Sequence, residues 1–138
     1  MNLRTLVSVT AALAFATVGA APAAANVSPS DILAGTYSTT LKKPPAVKGL
    51  WAFSIAPSGE YAIAYKSKVV VRGKATIRKG TIVFGARAEK GPLACKGAAA
   101  KASYAWTVKG AWLALTPRPS DACSGRRLVL ARALKRAR

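Results

Sequence analysis

The sequence predicts an all-β domain of antiparallel strands closed as a barrel or a sandwich. Three observations carry this. Apolar residues alternate with small or polar ones at a period of two in several segments. Turn-forming residues recur about every ten positions. No segment past residue 26 demands a long internal helix, and connections this short favour antiparallel over parallel pairing.

The chain opens on an address. Arg4 supplies a short positive region, residues 6–18 are apolar or small, and Ala23-Ala24-Ala25 forms a cleavage site before Asn26. The apolar run is short of the ~20 residues of a membrane span, and no later stretch is long enough. We read residues 1–25 as a cleaved signal peptide and the product as secreted, periplasmic or otherwise extracytoplasmic. A single domain at 26–131 and a basic tail at 132–138 would follow.

The elements follow in order. Ser28-Pro29-Ser30-Asp31 has the N-cap and first-turn proline of one helical turn. Residues 35–41 read as a first strand, ended by Pro44-Pro45. In the next strand Trp51, Phe53 and Ile55 share a face. After the Pro57-Ser58-Gly59 turn, Tyr61, Ile63 and Tyr65 do the same. Val69, Val71 and Ile77 would point inward on a strand bent at Gly73, and Ile82 and Phe84 on the strand after Gly80. Residues 85–99, rich in Gly, Ala and Lys, read as a long loop. Tyr104, Trp106 and Val108 form a strand face, followed by Leu113 and Leu115. A last strand is expected at Leu128 and Leu130.

Cys95 and Cys123 are the only cysteines. In an exported chain an even pair implies one disulfide. Two cysteines without a histidine cannot furnish a usual zinc site, and the spacing is no C-x-x-C redox motif. We expect neither metal nor cofactor.

Charge is lopsided: 22 basic residues against Asp31, Glu60, Glu89 and Asp121, a net +18. Such a field attracts polyanions and anionic surfaces. The cations form no stripe, the aromatics alternate with alanine as core residues do, and export removes the usual partner, so no specific nucleic acid is expected. Histidine is absent, and no G-x-S-x-G, phosphate-binding loop or dinucleotide fingerprint occurs. Four scattered acids make a glycosidase pair only by accident. The chain reads as non-enzymatic.

Gly49-Leu50-Trp51, with Arg126 or Arg127 opening the last strand, resembles the signature of the calycin superfamily, the lipocalins and their bacterial relatives. There a G-x-W tryptophan at the closed end of an eight-stranded barrel packs beneath an arginine of the final strand, a cation–π contact that plugs the end. Gly35-Thr36-Tyr37 is a rival, with tyrosine in the tryptophan's place, and it lies on the first strand. The phrase Y-x-W, G-x-W-L-x-L, D-x-C-x-G-R is similar to one found in small exported bacterial lipocalin-like domains.

The resemblance implies a single antiparallel eight-stranded lipocalin-like barrel with one disulfide. It also implies a small apolar or amphipathic ligand, held by some of Trp51, Phe53, Tyr61, Tyr65, Tyr104 and Trp106, with a basic rim favouring an anionic headgroup. Cys95, Cys123, Asp121, Arg126 and Arg127 take structural roles, Asp121 capping its turn or pairing with Arg126. The alternative is a cationic envelope module docking on anionic polymer, anionic lipid or an acidic protein.

Overall fold

The structure, a computed structural model, describes residues 26–138; the expected signal peptide lies outside them. Eight strands close an all-antiparallel barrel in sequential order: β1 (Gly35–Leu41), β2 (Gly49–Ile55), β3 (Glu60–Tyr65), β4 (Lys68–Arg78), β5 (Thr81–Lys90), β6 (Ala102–Lys109), β7 (Trp112–Pro117) and β8 (Ala133–Arg136). Helix α1 (Pro29–Leu33) precedes β1, and α2 (Ser124–Leu130) joins β7 to β8.

Ser28 caps α1 as its sequence foretells, its hydroxyl accepting from the Asp31 amide at 3.2 Å. The helix ends in Leu33, fully buried beneath the Gly35 end of β1. At the other end of β1 the chain turns through a short 3-10 segment, Pro45–Val47. Two ends are thus defined: one closed by α1, the other bordered by Val47 and α2.

The final strand is a correction. Residues 128–130 belong to α2, and Arg126, Val129 and Leu130 are buried together at the three- and four-residue spacing of one helical face. The expected basic tail contains β8, which pairs with β1 and β7 and completes the barrel. Leu134 points in and Lys135 out, a pattern too short to stand out among basic residues. The expected loop at 85–99 is corrected too, because β5 runs to Lys90. Gly85 takes φ +86° where a Cβ would lie 2.5 Å from the Ala100 carbonyl oxygen, so the strand bulges. A further bulge, in β4 opposite Ile63 and Ala64, puts Val70 and Val71 in the core and leaves Val69 exposed, against expectation.

The barrel centre is filled by aromatic rings. Phe84 packs edge-on against Phe53, Tyr61 and Tyr104, at centroid distances of 6.1, 5.1 and 5.4 Å. Eight-stranded barrels have an interior just wide enough for this.

Candidate functional site

Above the rings sits Arg126, buried on the inner face of α2, its guanidinium carbon 5.3 Å from the Phe84 centroid. All five of its N–H donors are used. Nε and Nη2 form a fork on Asp121 at 2.7 and 2.9 Å; Nη1 reaches Glu89 at 2.5 Å and the Ala100 carbonyl at 2.9 Å; Nη2 also reaches the Ala99 carbonyl at 2.9 Å. The tyrosines flanking Phe84 complete the shell. Tyr61 donates to Glu89 at 2.6 Å and Tyr104 to Asp121 at 2.5 Å.

The disulfide belongs to the same unit. Cys95 and Cys123 are joined as expected, and their backbone amides donate to Glu89 and Asp121, both at 2.9 Å. Gly73 leaves room for Tyr61, since a Cβ there would stand 2.5 Å from its hydroxyl. The expected pairing of Asp121 with Arg126 is present. Arg127 is exposed, its Nη1 donating to the Asp121 carbonyl at 3.3 Å.

The electrostatics follow from burial and bonding. Burial alone would raise the Asp121 pKa. Hydrogen bonds from Arg126, Tyr104 and the Cys123 amide, with the Arg126 charge, outweigh that and hold it below its ordinary value. Tyr61 and Tyr104 are pushed well above the ordinary phenol, first by burial and then by the carboxylates they donate to. Arg126 stays charged, because Asp121 and Glu89 more than offset its desolvation.

Beside this network is a cavity of about 390 Å³, at the barrel end bordered by α2. Trp51, Ile63 and Val71 form its floor, Leu128 and Val129 of α2 one wall, and Leu93 its exposed lip. The charged groups lining it, Arg126 and Glu89, are bonded to each other. The site is an apolar chamber with a fully satisfied polar corner.

Of the six aromatics expected to line a ligand cup, only Trp51 reaches this cavity. Phe53, Tyr61 and Tyr104 are spent on the packed centre. Tyr65 stacks on the far side of Trp51 at 4.4 Å and donates to the Lys48 carbonyl at 2.6 Å. Trp106 donates to the Arg78 carbonyl at 3.0 Å. The alternation identified inward residues, but a floor at one end of a barrel cannot be told from its filled middle by period alone. Leu93, Leu128 and Val129 were missed as lining because their segments were read as loop and strand.

The expected stack of Arg126 or Arg127 on Trp51 is also corrected, since Arg126 lies over Phe84 and Arg127 is exposed, bonded to the Asp121 carbonyl. The arginine of the final strand is Arg136, which sits over Tyr37 at 5.1 Å. Among the described residues, no group of three or more His, Cys, Asp and Glu side chains is placed to hold a metal, and no helix is long and apolar enough to cross a membrane. No family model matches the sequence, and no curated protein or solved structure matches it either.

Proposed function

We propose that the chain is an exported, non-enzymatic member of the lipocalin-like calycins that binds a small apolar molecule in the cavity beneath α2. The observation that carries the reading is the cavity itself, within the size range of small-ligand sites and walled by Trp51, Ile63, Val71, Leu128 and Val129. Membership rests on the barrel order and on Arg136 stacked over Tyr37, beside Gly35. The one cation on the wall is bonded to two carboxylates, so the ligand is uncharged where it is enclosed. An amphipathic ligand would leave its headgroup at the Leu93 lip.

Titration of delipidated mature protein with a fluorescent fatty acid and with its neutral methyl ester tests this. Saturable uptake of both, with affinities insensitive to salt, is expected, because charge pairing weakens with ionic strength and apolar burial does not. Absence of saturable uptake would overturn the reading.

A further inference from the structure

The outer face of β3, β4 and β5 carries a groove that the apolar cavity does not involve. The bulges between β4 and β5 set Arg72 opposite Lys90 and Lys74 opposite Arg87. Directly opposed residues project on the same face of a sheet, and like charges so placed repel each other. Each opposed pair joins one guanidinium to one ammonium, and the pairs stand two residues apart along β4. The four cations surround a groove of about 310 Å³; its one acid, Glu60, is the β3 register partner of Lys74, so three cations there have no acid opposite them. Among the described residues both ion pairs belong to the buried Arg126, so none of the four is neutralised by one.

The row continues across the barrel. Arg72 is opposite Ala62, Ala62 opposite Ser54, and Ser54 opposite Thr36. These small side chains leave a second depression of about 330 Å³ that shares Arg72 and Glu60 with the first. The Thr36 and Ser54 hydroxyls stand 2.9 Å apart along it. The result is a shallow trough with hydroxyls at one end, four cations at the other and the Glu60 carboxylate where the two depressions meet.

We propose that this trough binds a linear phosphodiester polymer of the polyol-phosphate kind. A guanidinium beside an ammonium suits a phosphate, the first as a planar fork and the second as a point charge. On β4 the pairs are two residues apart, roughly 7 Å along a strand, close to the repeat of an extended three-carbon polyol phosphate, while on the bulged β5 their partners Arg87 and Lys90 are three residues apart. Successive phosphates would then meet successive Arg–Lys pairs, while the hydroxyl end accepts the polyol. Single-stranded nucleic acid fits less well. The aromatic at this trough, Tyr61, is buried, and such partners need exposed rings on which bases stack.

The test is calorimetric titration of the mature protein with a synthetic glycerol-phosphate polymer across a range of salt. The Arg72→Ala/Arg87→Ala variant is compared with Lys42→Ala/Lys43→Ala, which removes the same charge from another exposed site. The expected result is a loss of about tenfold or more for the trough variant, with a salt slope smaller by roughly one per cation removed. The control should lose less than about threefold, as screened distant charges do. Equal loss in both variants, or no binding of the polymer, would overturn the proposal. So would tighter trough-dependent binding of single-stranded DNA or of phosphatidylglycerol vesicles.

Discussion

Arg136 on the last strand faces Tyr37 on the first. They are register partners, the guanidinium carbon is 5.1 Å from the ring centroid, and Nη2 donates to the phenol oxygen at 2.7 Å. The same Nη2 reaches the Ile32 carbonyl at 3.1 Å, and the phenol donates to the Leu33 carbonyl at 2.8 Å. One arginine thus ties the closing seam of the barrel to the helix that plugs its end.

Replacing Arg136 with alanine should therefore cost about 1.5–3 kcal/mol, the range for a hydrogen bond to a charged group. In a domain of this size that is a fall in Tm of roughly 5–20 °C. Arg138→Ala, outside the last strand, should leave Tm unchanged. Thermal melts of the two variants check this.

The Arg126 cluster gives a larger effect. Removing the guanidinium by Arg126→Met leaves Glu89 and Asp121 buried without a counter-charge, which costs about 3–5 kcal/mol. Arg126→Lys should restore little, since three donors cannot serve the acceptors that five now reach. Denaturant titration of both variants measures the loss.

Stability should form a plateau between acid and alkaline limits. Asp121 has a depressed folded pKa, so its contribution is full above the ordinary carboxylate value, about 4, and is lost as pH falls through the folded value. Tyr61 and Tyr104 have raised folded values, so their contribution is full below about 10 and is lost as pH rises beyond it. Melting from pH 2 to 11 should show both flanks, and Tyr104→Phe should soften the alkaline one.

Reduction of the Cys95–Cys123 bridge opens a loop of 28 residues. The chain-entropy relation puts that at about 3–4 kcal/mol. The same two residues hold the carboxylates of the Arg126 cluster through their amides. The loss on reduction should therefore be smaller in Arg126→Met than in the parent, as coupled neighbours require. Denaturation with and without reductant, in both chains, gives the coupling.

The barrel was legible because Trp51–Phe53–Ile55 and Tyr61–Ile63–Tyr65 alternate cleanly around a proline turn. The cap at Ser28 and the pairing of Asp121 with Arg126 were legible too, because both are local. The rest depends on distance along the chain. Glu89 meets Arg126 across 37 residues, and only the bulged end of β5 brings it inward. The four trough cations look scattered until the register of β4 and β5 collects them. The closing strand has a single inward leucine, Leu134, and the helix before it offered Leu128 and Leu130 at a spacing that imitates a strand. Of the six aromatics expected at a ligand, Trp51 alone lines the cavity, since the same residue types serve as packing and as lining.

The cavity offers the most direct test of the account. Native mass spectrometry of the gently purified protein, before and after delipidation, should show a discrete apolar adduct that extraction removes. The adduct should be absent from Ala122→Trp, in which an indole replaces a methyl group on the exposed cavity wall. A bare polypeptide mass before extraction, joined to a failure of the delipidated protein to take up apolar probes, would contradict the proposal that this cavity binds an apolar molecule.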